Sequence, residues 1–255
     1  MIIKFVENIG DKTINFISSL YYFLLFCIIC TIHIFNYGSY NSKMVVALIT
    51  QIYHTSIVKL PFFLIIAFIF GSILIGAVIV IATELNMQVQ IGSVIVTFVI
   101  NELSPLFTAI FISLRSATLI NKKLALADIQ NEIDLIDNIV LPRIISGILS
   151  TVSLSFIFAI VMIGSGYIFT FFLMGMDLHT YKYLIFDAIE INNIIILLIK
   201  GLMFGFIIMA IPIYNGLEVA KDTVFDKVSV INIIVNIFLA LFFMEMISLL
   251  LIKLI

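Results

Sequence analysis

The chain has 255 residues, of which 63% are hydrophobic and only 11% charged. A soluble domain carries about a quarter charged residues, so this composition cannot cover an apolar core in water. With 13 Lys+Arg against 15 Asp+Glu there is no basic footprint for nucleic acid, and soluble enzymes and disordered scaffolds are disfavoured with it.

Charges fall into a few clusters, and the gaps between them set the elements. No Asp, Glu, Lys or Arg occurs in 13–42, 60–83, 85–101, 103–114, 144–176, 201–217 or 228–244. A spanning helix needs about 20 mostly apolar residues. The first candidate, 14–36, is long enough to span. Crossing would place Lys4 and Lys12 on the opposite side from Lys43 and Lys59, whereas lying in the inner-leaflet interface keeps all four cytoplasmic. Cys27 and Cys30 within it have C-x-x-C spacing, but their apolar flanks favour packing over redox chemistry.

Five spans follow, near 60–83, 89–114, 144–172, 193–214 and 228–252. Repeated apolar stretches of this length predict an all-α integral membrane protein, since barrel strands would alternate over about ten residues. The chain reads as one transmembrane domain over 1–255, with an interfacial N-terminal region, 1–57, and a five-helix core, 58–255.

Basic residues orient the spans. The segment 115–143 holds Arg115, Lys122, Lys123 and Arg143, and 217–227 holds Lys221 and Lys227, so both are expected in the cytoplasm. The connections 84–88 and 177–190 carry Glu84, Asp177, Asp187 and Glu190 against Lys182, and are expected outside together with the C-terminus. In 121–138, Leu126, Ile129, Ile133 and Ile136 recur at helical spacing, while Asp128, Glu132, Asp134 and Asp137 fall largely elsewhere. Such an amphipathic helix either docks a soluble partner or rests on the membrane.

Ionisable residues inside spans are costly and mark function or pairing. Glu102 lies about thirteen residues into the second span, near mid-depth, and Pro105 loosens the helix one turn later. It reads either as a head-group or gating site, or as a buried acid held for structure. Lys200 and Glu245 each lie about 10 Å below the outer boundary on adjacent antiparallel spans, most simply as an intramembrane ion pair. His33, His54 and His179 have no metal-ligand spacing, and there is no P-loop and no nucleophile–base set. No catalytic residue, metal ligand or cofactor site is therefore assigned. Gly201 and Gly205 permit close helix packing.

Glu102-Leu103-Ser104-Pro105, Arg115, Leu198-Ile199-Lys200-Gly201, Phe204-Gly205, Asn215-Gly216 and the distant Glu245 form a series. From about Gln51 onward the chain resembles the MlaE-type permeases, membrane subunits of MCE-associated phospholipid ABC transporters. The arginine motif departs from that pattern, reading Ser113-Leu114-Arg115-Ser116-Ala117-Thr118 with Lys123 in place of an expected Glu.

The resemblance implies an interfacial N-terminal helix, five spans and a cytoplasmic coupling helix in the bacterial inner membrane. It implies a homodimer, a separate cytoplasmic ABC ATPase that binds ATP and Mg, and a periplasmic MCE-domain partner. The implied cargo is glycerophospholipid, moved in support of outer-membrane lipid asymmetry. Carried over, the lipid pocket falls on Leu74, Ile75, Val78, Ile79, Glu102 and Leu103, and contact with the ATPase on Arg115, Lys122, Lys123, Ile129, Glu132 and Ile133. The alternative is an ion-coupled secondary transporter with Glu102 as its coupling site.

Overall fold

The computed structural model describes residues 2–36, 38, 40–85, 90–125, 136–221 and 230–254. Every described element is a helix. In chain order these are α1 (Ile2–Phe35), α2 (Ser42–Thr55), α3 (Leu60–Glu84), α4 (Ile91–Val96), α5 (Ser104–Ala125), α6 (Leu141–Met174), α7 (Leu178–Phe186), α8 (Ile191–Lys221) and α9 (Val230–Leu254). Between α4 and α5 the chain winds as a wider π-helix over Thr97–Leu103, and a second π-helical turn, Ile136–Val140, leads into α6. Among the described residues, six stretches are long and apolar enough to cross a membrane. The protein is an all-α integral membrane bundle.

Local chemistry explains the ends of several helices. Pro61 and Pro142 sit in the first turns of α3 and α6, where a missing N–H costs nothing. Gly175 closes α6 in the left-handed region at φ 65°, with its N–H donating to the Phe171 carbonyl. The Asp177 carboxylate then caps α7 by accepting from the His179 N–H at 3.2 Å.

Contacts fix the directions of the spans. Phe63 meets Phe158, and further along Gly166 meets Ile75, so α3 and α6 run the same way. Gly205 faces Ile148 and Gly201 faces Val152, so α6 and α8 are antiparallel. A Cβ at position 205 would stand 2.6 Å from the Ile148 Cα and 2.9 Å from the Gly147 carbonyl oxygen. Backbone opposes it on both sides. Gly205→Ala is therefore expected to cost about 1–3 kcal/mol by forcing α6 and α8 apart. Gly201→Ala, whose Cβ would stand 3.1 Å from the Val152 side chain and 3.3 Å from its Cα, should cost less. Thermal melting in detergent orders the two.

α1 lies across the bundle rather than along it. Phe23 meets Tyr214 edge-on and Phe26 packs tilted against it, at ring-centroid distances of 5.5 and 5.7 Å, and His33 Nδ1 lies 3.1 Å from Asp137 Oδ1. Extending the Gly205–Ile148 register by nine residues puts Tyr214 level with Ile139, beside Asp137. Phe23 and His33 are separated by about 15 Å of helix, yet both touch the same end of the bundle. A helix that crossed the bilayer with the spans could not do this. The segment Ile17–Phe35 has the length and apolarity to cross, but it is placed as an interfacial helix would be.

α2 packs on α6 and on Ile136–Val140, at that same end. Ser56 and the tight turn Ile57–Lys59 separate it from α3, so 42–84 is two helices. Spin labels at Leu20 and Ile32, both exposed, test the lie of α1. Equal immersion depth is expected from collision with oxygen and a nickel chelate, whereas a crossing helix would separate the labels by about 18 Å.

Candidate functional site: a buried charge triad beside an apolar cavity

Pro105 lacks the N–H that would bond the Asn101 carbonyl, and the π-helical turn Thr97–Leu103 ends just before it. Asn101 and Glu102 lie on this turn. Asn101 is buried and donates through Nδ2 to Asn193 Oδ1 at 3.0 Å, tying the turn to the start of α8. Ser104, also buried, donates to the Ser155 carbonyl of α6. Each contact satisfies polar atoms that would otherwise be stranded in an apolar interior.

Glu102 reaches Lys200. The Lys200 ammonium donates to Glu102 Oε2 and, at 2.9 Å, to Glu245 Oε1. Lys200 is only 3% exposed, and the two carboxylates are 20% and 13% exposed. Three separate segments thus deliver one cation and two acids to one point inside the bundle. The ammonium offsets one carboxylate fully and must share itself between two, so it is the member whose loss leaves the most uncompensated charge.

Glu245 opens on an apolar cavity of about 460 Å³ between α5 and α9. Its described walls are Leu106, Ile110, Val235, Phe238, Leu239, Leu241 and Phe242, so Glu245 is the one ionisable wall residue among the described residues. An apolar space with a charged group at its edge suits an amphiphile better than a water-soluble ligand.

The residues singled out from the sequence are distributed unevenly. Lys200, Glu245 and Glu102 come together, with Leu103 half-buried beside them. On α3, Ile75 and Ile79 are buried in the core, Ile75 against Gly166, while Leu74 and Val78 are half-buried against it. None of these four lines the α5–α9 cavity. The α9 wall was missed, although Phe238, Leu241 and Phe242 precede Glu245 by seven, four and three residues and so share its helix face. Arg115, Lys122 and Lys123 fall on α5 beyond its described side chains, and Ile129, Glu132 and Ile133 lie outside the described residues. Cys27 and Cys30 are free thiols, with Cys30 fully buried. Among the described residues, no group of His, Cys, Asp or Glu is placed to hold a metal ion.

The family model described as Permease MlaE matches residues 48–251, the stretch that contains the triad, the cavity and all five spans. The chain belongs to the MlaE permease family. Probable ABC transporter permease proteins of Rickettsia prowazekii and Rickettsia typhi are 25% and 24% identical to it over 224 residues, covering 85% of each chain. A similar protein of Rickettsia conorii is 24% identical over the same length. This MlaE-family chain is a multi-pass membrane permease of the ABC-transporter type.

Proposed function

We propose that this MlaE-family chain forms the membrane pathway of an ABC transporter that moves glycerophospholipid between the inner membrane and a periplasmic MCE-domain carrier. The observation that carries the reading is the juxtaposition of the Glu102–Lys200–Glu245 triad with the apolar α5–α9 cavity. Acyl chains need an apolar wall, and a polar head needs hydrogen-bonding groups at its edge. Glu245 brings a carboxylate to that edge with the buried Lys200 ammonium directly behind it, so an amine head can meet the carboxylate and a phosphate must draw the ammonium out of its pairing.

In this reading the chain works as a homodimer in the inner membrane, with its C-terminus in the periplasm. ATP and Mg are bound by a separate cytoplasmic ATPase, and this chain hydrolyses nothing. Arg115, Lys122, Lys123, Ile129, Glu132 and Ile133 form the ATPase contact. Head-group chemistry and the breathing of the π-helical turn then set how the triad opens as the ATPase pulls on the cytoplasmic end of α5.

Co-purification tests the assembly. The tagged chain should bring down an ATPase and an MCE-domain protein together with glycerophospholipid. Ile129→Asp with Ile133→Asp should lose the ATPase while keeping the lipid. Retention of the ATPase by the double variant overturns the docking assignment, and absence of phospholipid from the purified complex overturns the cargo.

A further inference from the structure

A second apolar hollow, about 420 Å³, lies on a different side of the π-helical turn, between α6, α7 and α8. On α6 its wall runs from Phe156 to Tyr167, about 16 Å of helix. Phe156 is at the middle of the apolar stretch Ile136–Met174, and α7 closes the opposite end. The groove therefore begins at one end of the bundle and stops at mid-depth. That length is about half of a 30 Å hydrocarbon core, the thickness of one leaflet. A partner's spanning helix would need a trough along the full depth, and this one ends halfway.

Two further features point to an occupant. Gly164 faces the hollow, and a Cβ there would meet nothing within 4 Å. Glycine in a helix interior costs about 1 kcal/mol relative to alanine, and no neighbour at this position requires it. The vacant side-chain position keeps the groove open. At the α7 end stands Lys182, exposed and the only charged residue among the described walls, to which it lends its apolar stem. The described acids at this end, Glu84, Asp177, Asp187 and Glu190, are not wall residues. Tyr181 pins α7 over the groove, its hydroxyl donating to the Ile163 carbonyl at 2.7 Å. Burial pushes the Tyr181 phenol up from its ordinary range, so it stays a donor.

We infer that this groove is a binding site for one acyl chain of an anionic phospholipid from the leaflet at the α7 end, with its phosphate held at Lys182. The site is separate from the α5–α9 cavity. At its inner end the chain terminus meets Ile100, two residues before Glu102, so the lipid bears on the turn that sets Glu102 against Lys200. The inference needs only that the protein lies in a bilayer, and it stands or falls separately from the transported cargo.

The chain contains no tryptophan, so a single introduced indole reports its own surroundings. Ile163→Trp places the probe in the groove, and Leu149→Trp places it on an exposed part of α6 outside the groove. Each full-length variant is reconstituted in phosphatidylcholine vesicles containing a minor fraction of brominated phosphatidylglycerol or, separately, brominated phosphatidylcholine. The indole at 163 should be quenched as if brominated phosphatidylglycerol were about fivefold enriched beside it, the preference one lysine confers. The indole at 149 should show no preference. Lys182→Gln should abolish the preference at 163, and Gly164→Leu should remove the excess quenching by filling the groove without lowering the melting temperature. Equal quenching by both lipids at 163, a preference that survives both changes, or shielding of the indole from every brominated lipid overturns the site.

Discussion

Lys200→Met is expected to be the most damaging single substitution in the spans, at about 3–5 kcal/mol, because it leaves two carboxylates facing each other with no cation. Glu245→Gln should cost far less, at most about 1.5 kcal/mol, since the amide oxygen still accepts from the ammonium while Glu102 keeps its partner. A two-residue ion pair would predict that Lys200→Met with Glu245→Leu restores stability. The third member changes that expectation. The double variant strands Glu102, which is 20% exposed on its side chain and only partly reached by solvent, so recovery should be partial. Full recovery should require Lys200→Met, Glu102→Gln and Glu245→Gln together, which removes every charge at nearly constant volume. Thermal melting of the four variants in detergent is the measurement. If Lys200→Met melts with Glu245→Gln, the ammonium is not the centre of the cluster.

What was legible in the sequence depended on whether a feature is local. Apolar runs bounded by charges mark spans because bilayer thickness fixes helix length, and they locate the five apolar stretches from Leu60 onward. Lys200 and Glu245 could be matched because antiparallel neighbours at equal depth are an arithmetic consequence of alternating spans. Glu102 was visible as a charge at mid-depth, but its attachment to Lys200 was not. Asn101 to Asn193 and Glu102 to Lys200 link two spans running in the same direction, a neighbour relation that no spacing reveals.

The π-helical turn was foreshadowed only as a weakness at Pro105, since the sequence shows the missing N–H but not how the backbone re-registers around it. α1 was ambiguous on charge. Its lie follows from aromatic and His–Asp contacts to residues at least a hundred positions away. The α3 face at Leu74 and Val78 shows the opposite failure. Apolar residues four apart share a face whether that face meets lipid, cargo or α6, and here Ile75 beside them is committed to Gly166.

Two walls are therefore candidates for the acyl chains of the cargo, and one experiment separates them. Leu239 is 52% exposed on α9 at the cavity, so a bulky side chain there fills space without disturbing the core. Val78 is half-buried and packed against the core, so Val78→Trp carries an overpacking cost of about 1–3 kcal/mol before any effect on cargo. Leu239→Trp is expected to abolish lipid loading, reducing co-purified phospholipid at least about tenfold, while the melting temperature and ATPase association stay at wild-type levels. A photoreactive residue at 239 or 103 should crosslink to radiolabelled phospholipid above the background given by position 172, where Phe172 is 78% exposed on α6. Strong crosslinking at 74 and 78 with none at 239 would move the pathway to the α3 face. That result would mean α3 separates from α6 during transport, opening the contact that Gly166 now makes with Ile75. Crosslinking at 239 that disappears in Lys200→Met with Glu102→Gln and Glu245→Gln, a variant expected to fold, would place the head group at the triad and the acyl chains along α9. The charges would then serve the cargo directly, since their removal would cost binding without costing stability.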